Sequence, residues 1–429
     1  MTLKPTRRQL LGGAGAAAMA TTVGPYACAG PRRYRNPGGS EMLKVGLVGC
    51  GGRGTGAAAN ALMADDNVKL WALGDTFPDR LDSSLKTLSE SEEYGAKVDV
   101  PEERCFVGWD AYKGVIETCD VIVLATSPHF RPLHVHAAVE AGKHLFIEKP
   151  VATDAPGVRS IRESCGIAAE KGLSVVSGLC YRYQNAKRET IRRIQDGAIG
   201  DIVAMQCTYN ANGLWHRGRE PEWSNMEYQM RNWLYFTWLS GDHIAEQHIH
   251  SLDKIAWAMG SYPAKCVSSG GRIVRTDERY GNVYDHFNNA YEWANGLRCF
   301  SSCRQWDGAA TDTSDWIWGT HGKSNIQRHR IESGQAWDWR WHSDEPDDMY
   351  QNEHDALFAS IRSGEPINDG EYMCNSTLMA LMGRMSAYTG KEITWEQALE
   401  SQEDLSPPTY AWGPLAVAPV AQPGITQFV

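Results

Sequence analysis

The sequence lacks the features that mark several classes of protein. Its 11 cysteines are irregularly spaced and never form a Cys-x-x-Cys pair, so a disulfide framework is not indicated. It has no long basic run and its formal net charge is -10, which disfavours nucleic acids and anionic membrane surfaces as partners. It shows no internal repeat, and no stretch is long and apolar enough for a stable membrane span. A chain of 429 residues with these properties is expected to form two globular domains.

The first residues carry the pattern of a targeting signal. Residues 6–11 read TRRQLL, a twin-arginine motif, and a short Gly/Ala-rich run leads to the small residues Ala27-Cys28-Ala29. Residues 1–29 are therefore predicted to be a Tat signal peptide that directs export to the periplasm or another extracytoplasmic compartment. A membrane anchor and lipidation of Cys28 are the alternatives. Residues 30–41, rich in Pro, Gly and Arg, are predicted to be a linker.

A dinucleotide-binding motif follows directly. Residues 42–48 form a buried-strand run that leads into G-x-G-x-x-G, and an Ala-rich helical pattern covers residues 55–64. The first glycine permits a tight turn, the second lets the backbone approach a pyrophosphate, and the third lets the helix pack closely on the strand. The helix N-terminus then faces the phosphates. The residues predicted to bind the cofactor here are Gly49, Gly51, Gly52, Arg53 and Gly54.

Asp75 indicates which dinucleotide is bound. It follows the strand predicted over residues 68–73, about 20 residues beyond the glycines. Its carboxylate can accept hydrogen bonds from both ribose hydroxyls and would repel a 2′-phosphate, which favours NAD over NADP.

The segment Glu148-Lys149-Pro150 stands where a cofactor and a substrate are expected to meet. The apolar run 145–147 predicts a buried parallel strand, and such strands present ligands at their carboxyl ends, where Lys149 stands. Pro150 fixes the backbone beside the lysine. The strand predicted over residues 120–125 ends at Thr126 and Pro128, which are expected near the nicotinamide, and His129 is a candidate for substrate contact. Strands alternating with helices over residues 42–150 predict a parallel sheet.

The second half, residues 151–400, has a different pattern. After a helix at residues 158–171 and a strand at 174–178, runs of alternating character with hairpin signals predict an antiparallel sheet. The predicted strands cover residues 201–209, 265–274, 287–293, 297–304, 313–319 and 324–329. Helical patterns at residues 352–362 and 372–389 are expected to pack back on the first domain, and residues 401–429 are predicted to be a tail.

An ionisable stripe lies in the segment SGDHIAEQHIHSLD, residues 240–253. If the segment is a helix, His243, Glu246, His250 and Asp253 fall within an arc of roughly 80 degrees, while His248 points to the opposite side. Such a stripe is costly to bury unless it faces a polar cleft. A solvated face is one alternative, and a metal site made by His243, Glu246 and His250 is another, but catalysis without metal is favoured.

Aromatic residues are concentrated in two places. Residues 214–239 contain many of them, including Trp215, and Trp337, Trp339 and Trp341 form a second group. Sugars stack their C–H faces on such rings, so Trp215 and its neighbour His216 are candidate substrate contacts. Core packing or an oligomer interface explains the rings equally well. Tyr181 and Arg182, after the strand 174–178, are further candidates for substrate binding.

The order of these motifs resembles the glucose-fructose oxidoreductase and inositol dehydrogenase family (Gfo/Idh/MocA). The resemblance includes A-T-x-P-x-x-x-x-x-H at residues 125–134 and A-G-K-H-x-x-x-E-K-P at residues 141–150. It implies an α/β Rossmann domain followed by an α+β domain with a mostly antiparallel, open-faced sheet, which often pairs two subunits. It also implies that Glu148 and Lys149 lie beside the nicotinamide, and that Glu246, His250 and Asp253 match the family's acid, histidine and second acid. The family usually has aspartate where Glu246 stands and a small residue where His248 stands, which puts the substrate pose in doubt.

Three functional hypotheses follow from the resemblance. The first is an exported oxidoreductase that transfers hydride from a secondary hydroxyl of a sugar, glycoside or cyclitol to tightly bound NAD. In it, His250 takes the hydroxyl proton, Glu246 orients it, and Lys149 stabilises the developing alkoxide. The second is a redox-neutral glycosidase that oxidises C3 transiently and needs a second acid–base group, for which Tyr181, His129 and His216 are candidates. The third is a non-catalytic sugar sensor. A homo-oligomer is expected in each case, and a metal in none.

Overall fold

The computed structural model describes residues 41–333 and 338–429. The predicted signal peptide, nearly all of the predicted linker and Trp337 lie outside the described residues. Within the described ranges, no helix combines the length and the apolar character needed to cross a membrane.

The first domain is a six-stranded parallel sheet. Its strand order is β3-β2-β1-β4-β5-β6, with neighbouring strands paired in parallel, as the alternation of strands and helices predicts. The strands are β1 (Leu43–Val48), β2 (Val68–Asp75), β3 (Cys105–Val107), β4 (Val121–Leu124), β5 (His144–Ile147) and β6 (Val175–Ser177). Because β6 belongs to this sheet, the predicted domain boundary after Pro150 divides the sheet.

Helices cover this sheet and bury its apolar strands. They are α1 (Gly52–Ala64), α2 (Pro78–Ser89), α3 (Ala111–Thr118), α4 (Arg131–Glu140) and α5 (Ala155–Glu170). All four residues of β4 are buried, which explains its unbroken Val/Ile/Leu run. Helix α5 begins where the side chain of Asp154 accepts a hydrogen bond from Gly157 N. Helices α2 and α3, of 12 and 8 residues, are not among the elements that the sequence predicts.

The second domain is built on a nine-stranded sheet with the order β14-β13-β12-β11-β7-β10-β9-β8-β15. Its pairs are antiparallel except for β7 and β10, which are parallel, so the predicted fold class is confirmed. The first five strands are β7 (Ile202–Ala211), β8 (Lys265–Gly271), β9 (His286–Glu292), β10 (Arg298–Gln305) and β11 (Asp312–Gly319). The remaining strands are β12 (Gly322–Asn325), β13 (Arg330–Ser333), β14 (Asp338–Arg340) and β15 (Ile393–Thr394).

The second half also contains helices, namely α6 (Asn185–Gln195), α7 (Asn225–Arg231), α8 (Thr237–Ser240), α9 (Ile249–Met259), α10 (Met349–Ser363), α11 (Gly370–Thr389) and α12 (Trp395–Glu400). Of these, α9 and α11 pack on one face of the sheet, whereas α10 packs on α1 and β6 of the first domain. Helix α11 is buried along most of its length and packs on β8, β9 and α5. The other face leaves Val203, Val267 and Phe300 about half exposed. The sequence does not predict helix α6, because its buried face includes the polar Lys187 and Thr190 and therefore lacks a continuous apolar stripe.

Two local predictions are wrong. Residues 324–329 were predicted as one strand, but β12 ends at Asn325 and a tight turn to β13 follows, with His329 at φ +51°. In the sequence analysis, residues 240–253 are treated as one regular helix. Instead α8 ends at Ser240, Asp242 adopts φ +70°, a π-helical turn covers Ile244–His248, and α9 begins only at Ile249.

Helix α10 packs against α1, as the sequence predicted. The contact includes a buried two-point ion pair in which Arg362 donates from Nε and Nη2 to the carboxylate of Asp65, at 2.7 and 3.0 Å. The two side chains are only 5% and 1% exposed, so neither charge is solvated if the other is removed.

Arg362→Met should therefore lower the free energy of unfolding by about 3 to 5 kcal/mol, because it breaks a buried two-point ion pair by removing one partner. Urea unfolding of both proteins measures the difference. Lys86→Met is the matched control, since Lys86 pairs with Glu90 on the surface and that pair should contribute about 1 kcal/mol or less. Equal losses in the two variants would contradict the assignment.

Candidate active site

The glycine-rich loop joins β1 to α1 and leaves space for a ligand backbone. Gly49 has φ +97°, and a Cβ there would lie 2.6 Å from Thr126 N. A Cβ on Gly54 would lie 1.9 Å from Gly49 O, so Gly54 is required for packing of α1 on β1. Gly51 and Gly52 line the cleft instead, and a Cβ on either would meet no atom within 4 Å. These two glycines form an open cradle at the N-terminus of α1, where a pyrophosphate fits.

Asp75 lies at the carboxyl end of β2 and also lines the cleft. Its Oδ2 accepts a hydrogen bond from Cys50 N at 2.6 Å, and its Oδ1 accepts one from Phe77 N at 2.9 Å. Burial raises the pKa of Asp75, and these two backbone donors counteract that effect. The carboxylate is thus fixed beside the glycine loop, in the position expected for a ribose-binding acid.

The Glu148-Lys149-Pro150 motif follows β5, and its peptide bond Lys149–Pro150 is cis. The buried Glu148 accepts a hydrogen bond from Arg53 of the glycine loop, and Arg53 also donates to Glu353 of α10 at 2.8 Å. The Arg53 guanidinium lies 4.6 Å from the centre of the Tyr350 ring. Arg53 therefore ties the glycine loop to the lysine motif and to the second domain.

Lys149 meets the second domain at the π-helical turn. Its Nζ donates to Glu246 Oε1 at 2.9 Å and to the backbone carbonyl of Glu246. His250, four residues beyond Glu246, lines the same cleft. The structure therefore brings together the three residues that the sequence predicted to be catalytic.

The electrostatic surroundings keep His250 neutral. Burial, followed by the positive charge of Lys149 and then of Lys254, holds the pKa of His250 well below its ordinary value. Its Nδ1 is buried and has no hydrogen-bond partner in the described part of the chain. A neutral imidazole beside an ammonium group can accept a proton, which is the property required of a general base.

The start of the π-helical turn is fixed by Asp242. Its Oδ1 accepts from the backbone N of His243 at 2.6 Å and lies 3.0 Å from His243 Nδ1, and its Oδ2 accepts from Tyr388 and from Tyr284 N. His243 is thereby buried against Asp242 and Phe287, away from Glu246 and His250. The alternative metal site of His243, Glu246 and His250 is consequently not assembled. No cluster of metal-ligating side chains occurs within residues 41–333 and 338–429.

The cleft formed by these groups has a volume of about 560 Å³ and includes residues of both domains. Thr126 and Trp215 line it, whereas Pro128 is buried behind it. Residues that the sequence analysis missed include Arg131, Trp109 and Tyr209. Arg131 donates to Thr126 O at 2.7 Å and to Pro150 O, so it joins the two loops that form the nicotinamide end. Arg131 lies at the start of an ordinary helix, and the local sequence does not indicate that it joins these two loops.

Several predicted substrate contacts lie elsewhere. Arg182 and Asp253 form a buried ion pair at 2.8 Å, with the guanidinium between Trp257 and Tyr372, so both are occupied in packing. His216 lies 3.1 Å from the carbonyl of Arg279 and does not reach the cleft.

His129 and Tyr181 also lie behind the cleft wall. His129 bonds to Tyr410 at 2.8 Å. Tyr181 packs edge-on against His250, with ring centres 5.2 Å apart, and its ring lies near the ammonium groups of Lys187 and Lys254. His248 lies on the opposite side from the cleft, as predicted, and bonds to Ser301 at 2.6 Å.

Comparison with known proteins identifies the family. Residues 43–179 match the model of the Gfo/Idh/MocA oxidoreductase family with its NAD-binding Rossmann fold, and residues 188–325 match a C-terminal domain of the same family. The chain belongs to the Gfo/Idh/MocA family. Its first domain is accordingly an NAD-binding Rossmann domain.

Two curated relatives show the range of chemistry among similar proteins. The 2,7-anhydro-N-acetylneuraminate hydratase of Escherichia coli is 25% identical over 177 residues, covering 41% of this chain and 43% of the hydratase. The myo-inositol 2-dehydrogenase of Thermotoga maritima is 23% identical over 244 residues, covering 57% of this chain and 62% of the dehydrogenase. The chain thus spans less than two thirds of the length of either relative.

Among solved structures, a levoglucosan dehydrogenase in complex with NADH and levoglucosan has a similar fold. Its TM-score is 0.65 at 17% sequence identity, with 82% of this chain and 99% of that chain covered.

The glycine cradle gives a direct test of where the dinucleotide of this Gfo/Idh/MocA protein lies. Gly51→Ala adds a methyl group that meets no protein atom, so stability should be unchanged, but the methyl occupies pyrophosphate space and should weaken NAD binding at least about tenfold, or 1.4 kcal/mol. Calorimetric titration with NAD and thermal unfolding measure the two effects. Gly54→Ala is the contrasting variant and should fail to fold stably. Unchanged NAD affinity in Gly51→Ala would place the dinucleotide elsewhere.

Proposed function

We propose that this protein is an oxidoreductase that removes hydride from a secondary hydroxyl of an uncharged sugar, glycoside or cyclitol and transfers it to NAD. The observation that carries this proposal is the convergence of Lys149, Glu246 and His250 in the cleft that also contains the glycine cradle. NAD, when bound, supplies the hydride acceptor, and the chain's own residues position the hydroxyl and move its proton.

Each of the three side chains has a role that fits its surroundings. His250 is neutral and accepts the hydroxyl proton. Lys149 stabilises negative charge that develops on the same oxygen. Glu246 holds the ammonium of Lys149 in place at 2.9 Å and can accept a hydrogen bond from a neighbouring hydroxyl of the substrate. Catalysis then needs only groups that are already in contact or share one wall of the cleft.

The charge pattern beside Lys149 favours an uncharged substrate. Arg53 is paired with Glu148 and Glu353, Arg131 donates to backbone carbonyls, and Lys149 is paired with Glu246. The charges of Arg53 and Lys149 are therefore balanced by carboxylates, so a substrate carboxylate would gain less from them than from an unpaired cation. The rings of Tyr209, Trp215 and Trp233 also line the cleft and offer apolar faces to sugar C–H groups.

A redox-neutral reaction is the second candidate. The hydratase relative is named for adding water to an anhydro sugar, a net change without oxidation. The predicted Tat signal also favours the redox-neutral reaction. No soluble NAD pool is expected outside the cytoplasm, so each turnover would have to regenerate the bound NAD. In this version a hydride would pass from a sugar carbon to bound NAD and return at the end of the cycle, while the same three residues move the hydroxyl proton. A further group near the neighbouring carbon would remove its proton, allow the leaving group to depart and deliver water.

Export by the twin-arginine route and association through the exposed sheet face remain proposals. The first rests on the TRRQLL motif at residues 6–11, and the second on Val203, Val267 and Phe300 on the open face of the second sheet. Fractionation of cells that carry Arg7→Lys/Arg8→Lys tests export. Light scattering of Phe300→Asp tests association.

One assay separates the two reactions. Protein purified without added cofactor is mixed with uncharged sugars, cyclitols and nitrophenyl glycosides, while NADH absorbance and nitrophenol release are followed together. A stoichiometric rise of NADH without nitrophenol supports net oxidation, and sustained nitrophenol release without net NADH supports the redox-neutral cycle. His250→Asn should lower either signal by about 10² to 10⁴-fold, the usual contribution of a general base. If neither NADH nor nitrophenol appears after NAD is supplied, both versions are refuted.

The pH dependence follows from the lowered pKa of His250. Activity requires the neutral imidazole, so it should persist at the ordinary histidine pKa of about 6.5 and fall only at more acidic pH. Lys149→Met removes the largest charge that lowers this pKa and leaves Glu246 unpaired nearby, so both effects should raise the pKa of His250. NMR titration of the imidazole measures this even where turnover is lost, with Lys113→Met as an exposed-lysine control. An unmoved titration in Lys149→Met would contradict the arrangement.

A further inference from the structure

A segment of the second domain crosses over the cofactor half of the cleft. Residues 212–236, here called the crossing segment, follow β7 and include α7. Trp215, Arg217, Met230 and Arg231 of this segment line the cleft together with Gly51 and Asp75 of the first domain. The wall opposite the glycine loop is therefore made by the second domain.

Arg231 fastens the crossing segment to the first domain. Its guanidinium donates to both carboxylate oxygens of Asp79 on α2, at 3.0 and 3.1 Å, and its Nε donates to Glu227 at 2.9 Å. The same guanidinium lies 4.0 Å from the centre of the Phe77 ring and 4.9 Å from that of Trp223. These contacts are made two to four residues beyond Asp75, the predicted ribose ligand.

The tail, residues 401–429, packs behind the crossing segment and holds it against the first domain. The ring of Trp412 lies 4.8 Å from Trp109 and 5.5 Å from Phe77, and Tyr410 bonds to His129. On its other side the tail joins α7, because Gly413 O accepts from Met226 N at 3.1 Å. Both Phe77 and Trp109 line the cleft, so the tail supports the rings that face the cofactor.

Both ends of the tail are anchored on the second domain. Near its start, Glu403 pairs with the fully buried Arg384. Beyond the crossing, Tyr284 donates to Ala421 O at 2.9 Å and Gly424 N donates to Thr389 O at 2.9 Å. Val429 O accepts from Ser401 Oγ at 2.6 Å, which closes the tail into a loop. A loop held at both ends resists displacement more than a free strand does.

One cation at the cleft lacks a counter-ion that a ligand could supply. Arg217 makes no ion pair or side-chain hydrogen bond with the described residues, and its guanidinium lies 5.2 Å from the centre of the Trp215 ring. Burial, and then the neighbouring Arg80 and Arg231, lower its pKa, so the surroundings do not neutralise its charge. An anionic ligand next to Asp75 would supply the missing counter-ion.

We propose that the crossing segment and the tail form a clasp that completes the binding site for the adenosine–pyrophosphate half of NAD and keeps the dinucleotide from exchanging during turnover. Arg217 contacts the adenosine–pyrophosphate half of the dinucleotide. Trp412 and Tyr410 hold the clasp against the first domain. The cofactor then acts as a resident group that is restored on the protein. The inference rests on NAD binding by the Rossmann domain and is independent of the substrate.

Exchange of bound NAD tests the clasp without any substrate. Full-length protein loaded with isotopically labelled NAD is mixed with excess unlabelled NAD, and the retained label is followed with time. The Trp412→Ala/Tyr410→Ala variant should lose label at least about tenfold faster than the parent, equivalent to 1.4 kcal/mol at the release barrier. Both rings are more than 40% exposed, so the variant should still fold, and thermal unfolding verifies this. Val417→Ala, an exposed tail position, is the control.

The contribution of Arg217 is measured separately at equilibrium. Arg217→Met should weaken binding of NAD and of ADP-ribose about tenfold each and leave binding of nicotinamide mononucleotide unchanged. Equal exchange rates in the parent and the double variant, or complete exchange by the parent within seconds, would overturn the clasp. Loss of nicotinamide mononucleotide binding in Arg217→Met would show that Arg217 faces the other half of the cofactor and would overturn that assignment. Since no turnover is involved, these outcomes do not depend on the proposed reaction.

Discussion

The ion pair between Lys149 and Glu246 is the interaction on which the site depends. Lys149 belongs to the loop after β5 of the Rossmann sheet, and Glu246 belongs to the π-helical turn of the second domain. Their contact brings the lysine of one domain beside the histidine of the other. Burial, followed by the charge of the same ammonium, lowers the pKa of His250, so the ion pair that positions the cation also helps to keep the proposed base neutral.

A second set of charged residues fixes the position of the cofactor side of the cleft relative to the Lys149–Glu246 pair. Arg53 of the glycine loop is bound between Glu148, next to Lys149, and Glu353 of α10. Arg131 joins the loops that contain Thr126 and Pro150 through backbone carbonyls. Because Arg53 and Lys149 are paired with carboxylates, the substrate end is preorganised and suits hydroxyl groups. At the adenosine end, Arg217 has no ion-pair partner within the described residues, which is why the proposed clasp assigns it to the dinucleotide.

The fold could be predicted largely from local sequence, because five of the six Rossmann strands are apolar runs bounded by turn or loop residues. The three-residue β3, which is only partly buried, was not predicted. Lys149, Glu246 and His250 could be found because their spacing in the chain matches a family pattern. The remaining errors have physical causes. A regular helix would place His243 and Asp253 on the same face as Glu246 and His250. In the structure, the left-handed Asp242 and the π-helical turn direct His243 away from the cleft, and Asp253 forms an ion pair with Arg182. The roles of Arg131 and the tail depend on contacts between distant segments, which no local pattern reports.

The most direct measurement of the central claim is the fate of the substrate hydrogen in a single turnover. Protein holding NAD is mixed with a carbohydrate deuterated at its ring carbons, quenched, and its cofactor analysed by mass spectrometry. Transfer at Lys149 and His250 predicts deuterium in the nicotinamide of the bound cofactor, and its absence in the His250→Asn protein. Conversion of the carbohydrate without deuterium ever reaching the cofactor would contradict hydride transfer to NAD at this site.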